Sequence, residues 1–428
     1  MEIILVFSVL IILILLGVPI AFSMGLSTLL AFYLNGSWHL TIILSQRMYS
    51  GSTSFILLAI PFYILAGLLM NTTGMTNRIF KFAQILLGNI TGGMGHANVL
   101  ASMIFAGMSG SSVADAIGLG QVEIEAMTAA GYDKKFSSAI TAASATIGPI
   151  IPPSIPFVVY GGIAGVSVGR LFLGGFIPGV LMGLGLMVAI YFVSKKRNYP
   201  KSKYVGTYKE IIRDGISALV AVGSVVIILG GIVLGIFTPT EAAVVASLYA
   251  FILGFFVFRD LKFPQIRQVL WETAQHSIRV LFIIAIASSY SWALTLMHVP
   301  QKAIALFGNL VSQPIFAILI INALLLFLGC FMETISIMLL TVPILLPVGI
   351  AIGIDPVHFG VMMTLNLMIG QLTPPVGILL YSVSSVSKVP VQEIIVELTP
   401  YLIALLVVLL LIAFVPSITL FLPNLIMG

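Results

Sequence analysis

The sequence predicts an all-α polytopic membrane protein built from two inverted-topology repeats, each with a re-entrant hairpin and a broken helix. Hydrophobic residues make up 60% of its 428 positions, charged residues 8%, and the mean hydropathy is +1.18. These values exclude a soluble protein. The apolar segments are continuous, which indicates helices. Polar interruptions rich in Gly and Pro recur in both halves, Gly107 and Gly329 being equivalent positions 222 residues apart.

The apolar segments define ten spans. Several are long enough to cross about 30 Å of hydrocarbon as helices. The predicted spans are 2–16, 18–34, 52–72, 136–165 and 168–193 in the first half, and 216–236, 239–258, 277–297, 354–385 and 390–424 in the second. We expect the first to be retained, because it lacks the basic start and the small-residue cleavage site of a signal peptide.

The basic residues orient these spans. They lie in short groups between apolar segments, at 78–81, 134–135, 195–213 and 259–267. Since cytoplasmic loops are enriched in Lys and Arg, these groups are predicted to be cytoplasmic and both termini external. This placement also means that the net charge of +5 reflects membrane orientation. We therefore expect the lipid bilayer, and no nucleic acid, as a partner.

Five crossings per half is an odd number, so the second half is predicted to enter the membrane from the opposite side. The division is a first repeat at 1–194, a basic linker at 195–215 and a second repeat at 216–428. Segments 76–90 and 300–311 are predicted interfacial helices. Segments 93–131 and 314–350 are each interrupted by a polar loop, which favours a re-entrant hairpin, while 136–165 and 354–385 are the broken helices.

The interruptions of the first half offer oxygen ligands. In the tip loop GMSGSSVAD (107–115), Ser109 and Ser111 supply hydroxyl and carbonyl oxygens. Ser112 and Asp115 have the spacing of a capping box. Gly148, Ile151 and Pro153 of the first broken helix are expected to supply carbonyl oxygens, because the prolines there prevent regular helical bonding.

The second half repeats this pattern. Thr334 is predicted to cap the returning arm, and Thr373 to cap a helix that starts at Pro374. Gly370 and Pro375 repeat the carbonyl role. Carbonyl and hydroxyl oxygens suit Na⁺, whereas helix N-termini suit an anion such as a carboxylate. Substrate recognition is therefore expected from N-termini and hydroxyls near Ser111, Ser112 and Ser154.

Simpler explanations exist for single residues. Small residues also allow close helix packing, but packing alone does not require serines, an acid and double prolines together. Asp115 is either a cap or a functional intramembrane acid. Glu333 is expected to face water and Glu241 to begin a helix, while Glu123 is expected near the interface. The five histidines are predicted to lie at segment ends.

The motifs GMSGSSVADAIGLG (107–120), ATIGPIIPPSIP (145–156) and IGQLTPPVGILLY (369–381) resemble the large membrane subunit of tripartite ATP-independent periplasmic (TRAP) transporters. The resemblance covers essentially the whole chain and is closest to the sialic acid branch. It implies an elevator-type transporter in a bacterial inner membrane, Na⁺-driven import, a small four-helix membrane subunit and a periplasmic substrate-binding protein. Because no further four-helix unit precedes residue 1, we expect the small subunit to be a separate chain.

The resemblance also implies site residues. One sodium site falls on Ser109, Ser111, Gly148, Ile151 and Pro153, and a second on Gly329, Thr334, Gly370, Thr373 and Pro375. The substrate falls near Ser111, Asp115 and Ser154.

Three alternatives remain. The first is a C4-dicarboxylate permease of the same family, and the second a stand-alone Na⁺/carboxylate symporter. The third is an intramembrane serine protease, suggested by the G-x-S-G pattern at 107–110. A protease requires a histidine base at the same depth, and none is predicted there, so we expect no enzymatic activity.

Overall fold

A computed structural model of the chain describes residues 2–201, 208–306 and 313–428, and within these ranges all regular structure is helical. The predicted linker 195–215 and the predicted interfacial segment 300–311 lie partly outside the described residues. The α-helices are α1 (Glu2–Leu15), α2 (Ile20–Leu34), α3 (Thr41–Ser52), α4 (Ala59–Thr72), α5 (Met75–Leu87), α6 (Gly93–Ser109), α7 (Ser112–Ala129), α8 (Lys134–Ala145), α9 (Ile155–Ala164), α10 (Val168–Arg197), α11 (Tyr208–Val233), α12 (Pro239–Ile252), α13 (Phe263–Leu296), α14 (Val299–Leu306), α15 (Pro314–Gly329), α16 (Thr334–Ala351), α17 (Pro356–Gly370), α18 (Ile378–Ser387), α19 (Val391–Phe414) and α20 (Ser417–Met427).

Within the described ranges, six helices have the length and apolarity needed to cross a membrane. They differ in how far protein surrounds them. In Thr334–Ala351, 72% of the most apolar window is buried, against 33–44% in the other five. A helix buried on most sides contacts other helices more than lipid. This distinguishes α16, an arm of the second hairpin, from the spans around it.

The two hairpins consist of α6 with α7 and α15 with α16, and the arms of each pack against each other. α7 and α16 are both 18 residues long. Ser112 and Thr334 begin these two arms, and they are 222 residues apart in the chain. The same offset relates Asp133 and Asp355, which cap α8 and α17 through backbone N–H groups at 2.7 Å. The two halves therefore repeat one order of elements.

The broken helices are α8–α9 and α17–α18. The first is interrupted at 146–154 and the second at 371–377. Both double-proline pairs, Pro152-Pro153 and Pro374-Pro375, lie inside the interruptions and have cis peptide bonds. All residues of the first interruption are buried, whereas Pro374 and Pro375 of the second are exposed.

Three predicted spans have different boundaries in the structure. α13 begins at Phe263 rather than 277, because Pro264 occupies its first turn and Gln265 accepts a hydrogen bond from the Lys262 backbone N–H at 2.8 Å. The predicted span 390–424 is two helices, α19 and α20, which separate before Pro416. α11 begins at Tyr208 instead of 216. Helix α3 was not predicted, since its mixed composition gave no apolar signal.

Glu123 was expected near the interface, and this prediction is wrong. Its side chain is fully buried between α6, α7 and α8. Its Oε2 accepts a hydrogen bond from Asn98 Nδ2 at 2.7 Å, and the same amide donates to Thr141 Oγ1 at 2.8 Å. Glu123 therefore belongs to a polar cluster that holds the first hairpin against α8.

Candidate functional site

A cavity of about 500 Å³ lies where the hairpin tips and the interrupted helices meet α4 and α13. Its polar lining comes from six elements: Asn71, Ser109, Ser111, Ser112, Glu272, His276, Glu333, Thr334 and Gln371. Pro149, Ile155 and Pro156 add the wall from the first broken helix. The structure thus places the predicted hairpin tips and helix interruptions around one cavity.

The first tip is built by the turn at Gly110. Its φ of +60° ends α6 in the left-handed region, and Ser111 follows in an extended conformation (φ −139°, ψ 119°). Ser111 is therefore the N-cap of α7, accepting a hydrogen bond from the Ala114 backbone N–H at 3.4 Å. The predicted Ser112–Asp115 capping box is wrong, because Ser112 already lies inside the helix.

The side chains of this tip point toward other elements. Ser112 Oγ donates to Gln371 Oε1 at 2.9 Å. Asp115 Oδ1 accepts a hydrogen bond from Ser109 Oγ. Asp115 Oδ2 is buried and has no hydrogen-bond partner within the described chain. Of the two explanations for Asp115, capping is therefore excluded, and the side chain carries an orphaned carboxylate oxygen.

The first interruption closes against this tip. A Cβ built on Gly148 would overlap Asp115 Oδ2, and one built on Gly110 would lie 2.6 Å from the Pro153 carbonyl oxygen. Ser154 is the N-cap of α9 and accepts from the Phe157 N–H at 3.2 Å. Ile151 lies in the interruption with its side chain against Gly179 of α10. Ser109 of α6, Asp115 of α7 and the interruption residues Gly148 and Pro153 thus meet at one place.

The second tip has a different cap from the one predicted. Glu333, not Thr334, is the N-cap of α16, and its carboxylate accepts from the N–H groups of Ile335 at 3.1 Å and Ser336 at 3.3 Å. A carboxylate is favoured at this position by the helix dipole. The expectation that Glu333 only faces water is therefore wrong. Thr334 Oγ1 accepts a hydrogen bond from Gln371 Nε2 at 2.8 Å.

The second interruption also departs from its prediction. Thr373 does not cap a following helix, because its hydroxyl donates backwards to the Ile369 carbonyl at 2.9 Å and α18 starts only after Gly377. The Gly377 N–H is held by the Cys330 carbonyl at 3.0 Å, which ties the interruption to the second tip. Pro375 lies exposed in the interruption.

Gly329 and Gly370 form the closest backbone contact at this tip. A Cβ on Gly329 would be 2.9 Å from the Gly370 Cα, and one on Gly370 would be 2.6 Å from the Gly329 Cα. Neither helix could approach so closely with a larger residue. The resemblance places both glycines in one sodium site, and that assignment stays a prediction.

Sequence reasoning missed the side of the cavity formed by α4 and α13. Asn71, Glu272 and His276 line it. The prediction that all histidines lie at segment ends is wrong for His276, which is well inside α13 because that helix starts early. The spacing of Glu272 and His276, four residues apart, places both on one helix face. That spacing was the available signal.

The donor set limits what the site can bind. Within the described ranges, no three His, Cys, Asp or Glu residues form a group that could hold a metal ion. What the tips and interruptions offer is hydroxyl, carbonyl and carboxylate oxygen, the ligands of hard cations such as Na⁺. No Lys or Arg is found among the described cavity residues. An anion there would meet the N-termini of α7, α9 and α16.

The chain matches the family model of the tripartite ATP-independent periplasmic transporter DctM component over residues 7–418. It is 45% identical to the sialic acid TRAP transporter large permease SiaM of Vibrio cholerae, over 96% of both chains. It is 42% identical to the sialic acid permease SiaT of Haemophilus influenzae, over 96% of this chain and 66% of that longer one. The C4-dicarboxylate permease DctM of Vibrio cholerae is 37% identical, over 100% and 99%.

A solved structure supports the fold alone. The YdaH transporter of Alcanivorax borkumensis superposes with a TM-score of 0.63 at 13% identity, covering 90% of this chain and 89% of that one. The identity to the two sialic acid permeases, 45% and 42%, is higher than the 37% to the Vibrio cholerae C4-dicarboxylate permease, which supports the sialic acid branch that the resemblance indicated. The chain belongs to the DctM family, the large membrane components of TRAP transporters.

Proposed function

We propose that this chain is the Na⁺-coupled permease of a TRAP transporter and imports an organic acid, sialic acid, across the bacterial inner membrane. The observation that carries the proposal is the buried Asp115 carboxylate. Its Oδ2 has no hydrogen-bond partner among the described residues and lies against Gly148, while its Oδ1 accepts a hydrogen bond from Ser109 Oγ. A buried carboxylate is costly unless a cation compensates it. A sodium ion bound among these oxygens would supply that charge.

The cavity explains how the substrate anion is recognised. Without Lys or Arg among its described residues, it has no guanidinium to grip a carboxylate. Helix N-termini at Ser111 and Ser154 and the charge of bound Na⁺ take that role, since the Ser112 hydroxyl donates to Gln371 instead. Sodium therefore binds first and creates the anion site. His276, on the α13 face, is the one histidine among the described residues of the cavity.

An elevator movement fits the packing around the cavity. The hairpins and interrupted helices contact one another through buried polar groups, whereas α4 meets the first tip through small residues. A Cβ on Gly67 of α4 would be 3.2 Å from the Ser109 Cα. Small residues let the two backbones approach closely, with no long side chain between them at this point. We infer that the hairpins and broken helices move together against α4, α13 and the outer spans.

The family implies two partners, a small four-helix membrane subunit and a periplasmic substrate-binding protein. The proposal is tested in cells that lack their own sialic acid transporter and express the three components. They should accumulate labelled sialic acid in sodium medium and not when choline replaces sodium. Sodium-dependent uptake of labelled succinate instead would select the C4-dicarboxylate alternative. Uptake of neither, with the proteins present in the membrane, would contradict the proposal.

For the protease alternative, the structure places a histidine in the cavity, but the candidate nucleophile Ser109 does not bond to it. His276 lines the same cavity as Ser109, yet the Ser109 hydroxyl donates to Asp115 rather than to an imidazole. A serine nucleophile requires its base within hydrogen-bond reach. The stand-alone symporter is distinguished by omitting the binding protein from the uptake assay, since such a symporter would transport without it.

A further inference from the structure

Gln371 joins the two halves of the molecule at the cavity. Its amide accepts a hydrogen bond from Ser112 Oγ at 2.9 Å and donates one to Thr334 Oγ1 at 2.8 Å. All three side chains are buried, with exposures of 2%, 4% and 1%. A primary amide carries an acceptor and a donor on one carbon, so this single side chain bridges both hairpins.

The two hydroxyl groups that bond to Gln371 occupy equivalent positions of the internal repeat. Ser112 and Thr334 are equivalent positions, 222 residues apart, and each is the first residue of its returning arm. The residues before them, Ser111 and Glu333, perform the capping. The Ser112 and Thr334 hydroxyls are therefore free to bond across the repeat. Nothing in local helix chemistry requires this arrangement, and it connects two elements that are remote in sequence.

Gln371 is itself fixed to the second interruption. Its backbone N–H donates to the Leu367 carbonyl at 3.1 Å, and its carbonyl accepts from the Leu379 N–H at 3.2 Å. It directly follows Gly370, which contacts Gly329. A displacement of the second interruption therefore moves the amide, and the amide moves Ser112 beside the first tip.

We propose that Gln371 is the positioning residue that couples the two sodium sites, so that occupation of one organises the other. The inference rests on the sodium-coupled transport proposed above. Coupling between sites requires an element whose arrangement both sites bias. The Ser112–Gln371–Thr334 bridge is such an element, because one end adjoins the oxygen cluster at Ser109 and Ser111 and the other adjoins Gly329 and Gly370.

The test is the sodium dependence of uptake by the complete transporter in proteoliposomes, with labelled sialic acid. With two coupled sites, the parent's Hill coefficient for sodium lies between about 1 and 2. Gln371→Leu removes both bonds at similar volume. We expect its Hill coefficient to fall to about 1 and its half-maximal sodium concentration to rise at least roughly fivefold. Ser112→Ala should also lower the Hill coefficient, and adding it to Gln371→Leu should lower it no further.

Asn366→Leu is the matched control. Asn366 lies on α17 and, like Gln371, has a buried side-chain amide. This amide bonds to Asn322 within the second half, with Nδ2 donating to Oδ1 at 2.8 Å. Its loss should affect protein yield or thermal stability and leave the Hill coefficient unchanged. Sodium-dependent thermal stabilisation of each purified variant gives a second readout that does not require transport. In that readout, Gln371→Leu should show a shallower dependence on sodium concentration than Asn366→Leu.

The outcomes separate the two proposals. If parent uptake does not depend on sodium, the proposed function fails and this inference fails with it. If the parent is cooperative and Gln371→Leu keeps its Hill coefficient, the inference is overturned and the proposed function stands. If Gln371→Leu does not insert or fold, a parental Hill coefficient in Ser112→Ala overturns it equally. A parent Hill coefficient of about 1 would also overturn it.

Discussion

Asp115 is the residue on which the proposed first sodium site depends. Its Oδ2 has no hydrogen-bond partner among the described residues and lies against Gly148. Asp115→Asn keeps the shape and removes the charge, so sodium should bind more weakly. Losing one ligand interaction of about 1–3 kcal/mol raises the half-maximal sodium concentration roughly five- to a hundredfold. Uptake measured against sodium concentration checks this prediction.

Ser102→Ala is the control for Asp115→Asn. Ser102 is equally buried, lies on α6 of the same hairpin, and donates to Ser144 at 3.0 Å rather than to the oxygen cluster. It should leave the sodium curve unchanged. An Asp115→Asn curve that coincides with the parent's would remove Asp115 from the ion site.

The positions of the hairpin tips were predictable from the sequence, whereas the roles of the individual tip residues were not. Ser111 and Ser112, like Glu333 and Thr334, are neighbours that can all cap a helix. Which of them does so depends on the backbone angles at the turn, such as the positive φ of Gly110, and sequence gives no direct measure of those angles. Gln371 was missed for another reason. Its partners lie in two other segments, Ser112 being 259 residues away.

At the scale of elements, the glycine contact between α15 and α17 holds the second tip in place. A methyl group on Gly370 would lie 2.6 Å from the Gly329 Cα, closer than packed atoms allow. Because the obstacle is backbone, the helices must separate. We expect Gly370→Ala to lose most sodium-dependent uptake and to lower the thermal stability of the purified protein, by an overpacking cost of roughly 1–3 kcal/mol.

Gly230→Ala provides the comparison for Gly370→Ala. Gly230 lies in α11, and a Cβ there would meet no atom within 4 Å. Alanine should be neutral or slightly stabilising at that position, because glycine is unfavourable inside a helix. Equal behaviour of the two variants in uptake and thermal stability would mean that the contact at Gly370 relaxes without consequence.

The hairpins and broken helices were predictable because Gly, Pro and Ser interrupt otherwise apolar segments. Helix α13 shows where that signal fails. Its first fourteen residues include Arg267, Glu272 and His276, so a search for apolar segments starts the helix too late. Two of these polar residues, Glu272 and His276, line the cavity. The structure thus shows a helical wall of the cavity in a segment that hydropathy alone assigns to a loop.

At the scale of the whole molecule, the charge distribution predicts which side of the membrane each end faces. The basic segment that follows α10 is expected in the cytoplasm and both termini outside. Lys201→Cys and Gly428→Cys, each on a Cys330→Ser background, test this with a membrane-impermeant thiol reagent in intact cells. Gly428→Cys should be labelled from outside and Lys201→Cys only after the cells are opened. External labelling of Lys201→Cys would exclude the inverted-repeat topology.

The described residues of the cavity include no lysine or arginine, and this has a consequence for the complete transporter. Hydroxyls and helix N-termini hold a carboxylate less strongly than a bidentate arginine does. The permease should therefore bind free substrate weakly, and more strongly when sodium is bound. Weak binding cannot capture a scarce substrate, so a soluble protein with higher affinity must deliver it.

This reasoning predicts the behaviour of the purified components. Reconstituted with its small subunit, the chain should take up little sialic acid under a sodium gradient until the periplasmic binding protein is added. Calorimetric titration of the membrane complex should give a dissociation constant that decreases as sodium increases. His276→Ala should change this affinity less than Asp115→Asn, because Asp115 acts through the bound cation. Tight binding of free sialic acid without sodium would contradict both the recognition mechanism and the need for a third component.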